Sequence, residues 1–101
     1  FKSRGYFISP QEVENALIKH PRIKEVAVIG VADERYGNRI CAYVVPADGA
    51  APSEALGAEV LDFARDHLAP YKIPKTLEFL EEIPKNPVGK ILRRALKQES
   101  A

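Results

Sequence analysis

Val26-Ala27-Val28-Ile29-Gly30-Val31, the polar break Asp33-Glu34-Arg35-Tyr36-Gly37-Asn38, and then Ile40-Cys41-Ala42-Tyr43-Val44-Val45-Pro46 decide how this chain folds. Both outer runs are continuously apolar and of strand length, the pattern of strands covered on both faces. The first reads as a buried central strand. The break between them is too short for a crossover, so the two runs should be antiparallel neighbours. Pro46 cannot donate to a ladder and stops the second run.

Working outward toward the start, Ser9-Pro10-Gln11-Glu12 opens a helix. Ser9 is the N-cap, Pro10 takes the first helical position, and Glu12 completes an S-x-x-E capping box. Ile8 and Val13 are spaced for a hydrophobic staple across that cap. Val13, Ala16, Leu17 and His20 recur at helical spacing until Pro21 ends the run. Residues 2–8 fit a strand or small hairpin, with Gly5 where a side chain would be in the way. Working toward the end, Ala47 to Pro52 is a small-residue loop. Ser53 caps a second helix with a stripe of Leu56, Val60, Phe63, Ala64 and Leu68, stopped by Pro70. Gly57 weakens its first turn by about 1 kcal/mol relative to alanine. Thr76 to Leu80 is a short strand alternating through Leu77 and Phe79. A last helix places Leu92, Ala95 and Leu96 inward and Arg93, Arg94 and Lys97 outward. The order is β-α-β-β-α-β-α, an α+β fold with helices packed on a small β-sheet.

The chain has 101 residues, which makes residues 1–101 one domain with one core. Fifteen basic against 14 acidic residues give a net charge of +1, no global attraction to nucleic acid or anionic membrane. A single cysteine, Cys41, excludes an internal disulfide and reads as a small buried hydrophobe. No apolar run approaches the roughly 20 residues of a transmembrane segment, and no metal-ligand spacing occurs. The expected compartment is the cytoplasm. The opening Phe1-Lys2-Ser3-Arg4-Gly5 has neither Met nor leader and reads as the interior of a longer protein cut at a domain junction.

The candidate chemistry lies in Pro84-Lys85-Asn86-Pro87-Val88-Gly89-Lys90. A loop lysine is ordinarily solvated surface. Here Pro84, Pro87 and Gly89 restrict the backbone around Lys90, a costly arrangement for a residue that only faces water. Lys90 is also expected at the mouth of the last helix, where a cation is disfavoured unless it meets an anionic ligand.

Gly5-Tyr6, Ser9-Pro10-x-Glu12-Val13-Glu14, His20-Pro21, Val28-Ile29-Gly30, Asp33 with Gly37, Leu68-Ala69-Pro70-Tyr71-Lys72-x-Pro74, and Pro84-x4-Gly89-Lys90-Ile91-Leu92-Arg93-Arg94 stand in this order. The array resembles the C-terminal domain of the adenylate-forming enzymes: acyl-CoA synthetases, peptide-synthetase adenylation domains and luciferases. It runs from Gly5 to Leu96 and is most like an acyl-CoA synthetase. The resemblance implies a lid preceded by the remains of a hinge-side hairpin, and a large N-terminal ATP- and acyl-binding domain outside these residues. It implies ATP with Mg2+ and CoA as substrates of the whole enzyme, with none held by these residues alone. A carboxylate would attack the α-phosphate of Mg-ATP to give acyl-adenylate and pyrophosphate; a thiol would then displace AMP. Lys90 matches the catalytic lysine of the first step. Gly5, with Tyr6, matches the loop that faces the thiol substrate in the second. Pro84 and Gly89 support the lysine loop. Lys2 and Arg4 are candidates for CoA phosphates, and Phe7 stands where many family members carry a basic residue. No phosphate-binding loop or Rossmann glycine run is present, so the 101 residues alone are expected to form no thioester.

Three other readings compete. A peptide-synthetase-type lid would serve a carrier protein in place of CoA. An RNA-binding module would need stacking aromatics on its middle strands, where residues 40–45 offer only Tyr43. A ferredoxin-like ligand-binding domain leaves the Pro-x4-Gly-Lys loop unexplained. His20, before a proline, is read as a cap for helix carbonyls, and Tyr71 and Lys72 as shaping a turn.

Overall fold

The computed structural model describes residues 1–35, 37–91 and 95–96. Its elements are β1 (Lys2–Ser3), β2 (Tyr6–Phe7), α1 (Pro10–Leu17), β3 (Ile23–Asp33), β4 (Gly37–Pro46), α2 (Glu54–His67), a 3-10 turn (Pro70–Lys72) and β5 (Thr76–Phe79). Ala95 and Leu96 are helical; the expected positions of Leu92, Arg93, Arg94 and Lys97 lie outside the described residues.

The two apolar runs pair antiparallel in the register Val26↔Val44, Val28↔Ala42 and Gly30↔Ile40, as their spacing requires. Even-numbered side chains Val26, Val28, Ile40, Ala42 and Val44 face one way, against Val13 and Leu17 of α1 and Leu56, Val60 and Ala64 of α2. Odd-numbered Ala27, Ile29, Cys41, Tyr43 and Val45 face the other way, with Ile83 and Leu96. A slip of one residue would exchange these faces. Each fully buried aliphatic contributes about 1.5–3 kcal/mol, against about 1 for a hydrogen bond, so burial on both sides fixes the register.

One expectation about position is corrected. The sheet order is β3-β4-β5, so β4 is central and β3 lies at an edge of the described sheet. The chain crosses through α2 before β5 pairs parallel to β4, Ala42↔Leu77 and Val44↔Phe79. That places the last strand beside the second apolar run and not the first. The β3 edge is protected from α1, where the buried carboxylate of Glu14 accepts the Val28 N–H at 2.8 Å.

Helix α1 starts as its sequence dictates. Ser9 Oγ accepts the Glu12 N–H at 3.4 Å, and the staple residues Ile8 and Val13 are both fully buried in one cluster. The reciprocal half of the capping box is not made. The Glu12 carboxylate takes both oxygens to Lys72 Nζ, at 2.6 and 2.7 Å. The helix ends at Leu17, three residues before His20. In α2, Ser53 Oγ accepts the Leu56 N–H at 3.0 Å, as its cap position predicts.

Candidate functional site

The lysine loop is a small hairpin standing on the odd face of the sheet. Ile83 is buried and Ile91 half-buried against the Tyr43 cluster, and Lys85 bridges Ile91 in antiparallel fashion. Lys85 also pairs with Glu25 on β3. Between these anchors Asn86 organises the tip. Its Oδ1 accepts the N–H of Val88 at 3.1 Å and of Lys90 at 2.9 Å. Its own N–H donates to the Lys90 carbonyl at 2.8 Å, and its carbonyl accepts the Gly89 N–H at 2.9 Å. Gly89 has φ +87°, which a side-chain-bearing residue adopts only with strain. Lys90 is exposed, and among the described residues none forms an ion pair with it.

Ile91 is bridged to Lys85, so hairpin closure also sets Lys90; residues 92–94, where the expected helix mouth falls, lie outside the described residues. Sequence reasoning credited Pro84, Pro87 and Gly89 with the stiffness and passed over Asn86. The signal was present: an Asn-Pro pair favours a turn in which the side-chain oxygen bonds forward to the backbone. The Tyr43 hydroxyl donates to the Leu96 carbonyl at 3.4 Å, tying the segment after the loop to the central strand. Burial holds the Tyr43 hydroxyl protonated well above the usual tyrosine range.

The second candidate region stands on the other side. β1 and β2 form a two-residue-per-strand hairpin whose turn residues Arg4 and Gly5 have φ +56° and +83°. Two successive left-handed residues match the twist of a tight hairpin. No atom lies within 4 Å of a Cβ built on Gly5, so its turn conformation, and not crowding in the domain, demands glycine. The hairpin is held by its neighbours. Tyr6 stacks on Tyr71 with ring centroids 4.3 Å apart, Asn38 Nδ2 donates to the Lys2 carbonyl at 2.9 Å, and the Phe1 ring lies over Gly30. Phe1, Ile8 and Tyr71 all belong to the even-face cluster. The hairpin bearing Gly5, through Phe1, Ile8 and Tyr71, and the loop bearing Lys90, through Ile83 and Ile91, are therefore anchored on opposite faces of the β3-β4-β5 sheet.

Beside the Gly5 turn lies an open groove of about 340 Å³ lined by Arg4, Arg39, Arg65 and Lys75 together with Tyr71 and Leu61. Arg39 faces Asp33 at 3.8 Å and Arg65 pairs with Asp62. Arg4 lines the groove; Lys2 is exposed on the adjoining strand.

The remaining candidates resolve into structure. His20 is buried and does not cap helix carbonyls; its Nδ1 accepts the Arg22 N–H at 3.0 Å, and Nε2 lies 3.2 Å from Glu59. It thereby ties the end of α1 to α2, with Phe63 edge-on to its ring at 5.0 Å. Cys41 is a buried core residue, as its strand position predicts. Tyr71 and Lys72 form the 3-10 turn expected of them. Tyr43 is fully buried, so the single aromatic that an RNA-binding reading relied on offers no stacking surface. Among the described residues there is no cluster of three metal-ligating side chains, and no helix is long and apolar enough to cross a membrane.

Known proteins share this sequence and fold. The chain is 52% identical over 96 residues to the long-chain-fatty-acid–CoA ligase of Bacillus subtilis (strain 168), an alignment covering 94% of this chain and 16% of that protein. It superposes on the crystal structure of Brucella canis acyl-CoA synthetase with a TM-score of 0.92 and 37% identity, over 97% of this chain and 18% of that one. The anthranilate CoA ligase AuaEII in complex with anthranoyl-AMP matches with a TM-score of 0.90 and 38% identity, over 98% of this chain and 19% of that one. The chain thus spans about one sixth of the length of the curated relatives it matches. Residues 12–90 match the family described as the AMP-binding enzyme C-terminal domain. With fold, motif order and sequence in accord, the chain belongs to the AMP-binding enzyme C-terminal domain family.

Proposed function

We propose that these residues are the moving lid of an ATP-dependent acyl- or aryl-CoA synthetase, working with a separate ATP- and acyl-binding domain of the complete protein. The observation that carries this reading is the opposition of the two candidate turns. Lys90 rides on the odd face of the sheet and Gly5 on the even face. One rigid body cannot offer both to the same active site at once, but it can offer them in succession.

In the first step the substrate carboxylate attacks the α-phosphorus of Mg-ATP, and the bond to pyrophosphate breaks. Two anions are forced together, and the Lys90 ammonium, exposed and without a partner among the described residues, stabilises the crowded charge. In the second step a thiol attacks the acyl carbon and AMP leaves with the former carboxylate oxygen. The open backbone at Gly5 then gives the thiol-bearing arm a side-chain-free path. The basic residues lining the groove next to that path, Arg4 among them, support CoA, which carries phosphates on a nucleotide, over the single phosphodiester of a carrier-protein arm. Mg2+ would come with ATP and be held with it by the other domain.

The test uses the complete protein carrying Lys90→Ala, with the half-reactions timed separately. Pyrophosphate exchange should fall about 100- to 1,000-fold, the usual cost of removing one preorganised electrostatic group. Thioester formation from supplied acyl-adenylate should survive. If both rates survive, Lys90 is an ordinary surface lysine and the reading fails.

A further inference from the structure

We infer that Asn86 is the positioning residue for Lys90, the group that sets where the ammonium stands in the adenylate-forming step. The inference rests on the reading of Lys90 given above. Both backbone polar groups of Lys90 end on Asn86: its N–H on the side-chain oxygen at 2.9 Å, and its carbonyl on the Asn86 N–H at 2.8 Å. The same side-chain oxygen takes the Val88 N–H, and the Asn86 carbonyl takes the Gly89 N–H. Four hydrogen bonds from one residue thus close the loop on the residue that bears the charge.

The chemistry explains why asparagine suits this place. Pro87 has no N–H, so the side-chain oxygen reaches past it to the amides of Val88 and Lys90. A shorter or longer side chain puts that oxygen out of register with the two amides. Val88 at the tip is 79% exposed, so packing within the domain does not brace the turn there. Without Asn86 the flexible lysine stem would start from a backbone free to wander, and displacement of a reacting group by about 1 Å is enough to lose two orders of magnitude in rate.

The experiment compares Asn86→Ala, Asn86→Asp, Lys90→Ala and the Asn86→Ala/Lys90→Ala double variant in the complete protein. Pyrophosphate exchange, thioester formation from supplied acyl-adenylate and the thermal midpoint are measured for each. Asn86→Ala should lower kcat for exchange about 10- to 100-fold. KM for ATP should change less than about twofold, and the thioester half-reaction should keep its rate. Asn86→Asp keeps the acceptor oxygen and should restore exchange to within about fivefold of wild type. The double variant should be no slower than Lys90→Ala alone, because a group that acts only through Lys90 has nothing left to position.

If Lys90→Ala collapses exchange while Asn86→Ala does not, the inference is wrong and the reading of Lys90 stands. A double variant slower than Lys90→Ala by the full Asn86 factor also overturns it. So does an aspartate variant as slow as the alanine one. Retained exchange in Lys90→Ala brings down both the inference and the reading beneath it. Should Asn86→Ala fail to fold, Asn86→Gln, with its amide one methylene too far, replaces it with the same expectations.

Discussion

The two exposed turns are alike in one respect and opposite in another. Each holds a glycine in left-handed backbone, φ +83° at Gly5 and +87° at Gly89, with nothing within 4 Å of an added Cβ. The Gly5 turn is braced from outside. Tyr71 stacks on Tyr6, Asn38 holds the Lys2 carbonyl, and Arg4 is kept at φ +56° at a cost of about 1–2 kcal/mol for a side-chain-bearing residue. The tip of the Lys90 turn is braced from within, by Asn86. A turn held by its neighbours leaves its own backbone open to something passing by. A turn held by its own side chain carries its geometry wherever the body goes.

That contrast can be broken most forcefully at Gly30. An alanine Cβ there would lie 2.6 Å from a Phe1 ring atom, so the ring must leave the sheet. Gly30→Ala should cost about 1–3 kcal/mol by overpacking. The Ile8 N–H, bonded to the Phe1 carbonyl at 2.6 Å, should lose hydrogen-exchange protection while the Lys90 N–H keeps its own. Equal loss at both sites would mean the two turns are not independently braced.

Next come Gly5→Ala and Gly89→Ala in the complete protein. Both force a Cβ into the left-handed region, and each should cost about 1–2 kcal/mol. Their effects on activity should part: Gly89→Ala slowing adenylate formation and Gly5→Ala slowing thioester formation. The same half-reaction suffering in both would end the two-face account. Gly57→Ala is the converse. In the first turn of α2 the new methyl would meet Phe79 and Leu77 at 3.8 and 3.9 Å, ordinary contact. It should raise stability by about 0.5–1 kcal/mol in denaturant unfolding.

The smallest effect belongs to Lys72. Its hydrogen bond with Glu12 pushes the ammonium above its ordinary 10.5. A cation whose folded value is raised contributes stability that is complete below the unfolded value and is lost as pH climbs through the folded one. Lys72→Met should therefore differ slightly from wild type at neutral pH and converge with it only above pH 10.5. A difference that persists in strong alkali would point to lost packing instead.

Much of the fold was legible because it rests on local pattern. The apolar runs, the Ser9 and Ser53 caps and the stripe of α2 each follow from spacing within a few residues. What sequence could not supply was choice of neighbour. Two strands with both faces covered look alike whether central or at an edge, and only the crossover through α2 placed β5 beside β4. Glu12 fits a capping box by spacing, but its carboxylate is claimed by Lys72, 60 residues away. Glu14 shows no local sign of its task at the β3 edge. At the lysine loop the sequence pointed to Pro84, Pro87 and Gly89 as what shapes the backbone, and passed over Asn86, whose side chain closes the turn.

The odd and even faces of β3 and β4 have a kinetic corollary. A strand has no third side, so a residue carried on one face can be exchanged for its counterpart only by turning the entire sheet over. Under the lid reading proposed above, the sheet acts as a crankshaft: its stiffness sets the phase between two strokes, not the force of either. Softening the core, by trimming Val28 for instance, should leave each half-reaction intact when assayed alone. The damage should appear in their coupling, as acyl-adenylate lost to water before the thiol arrives.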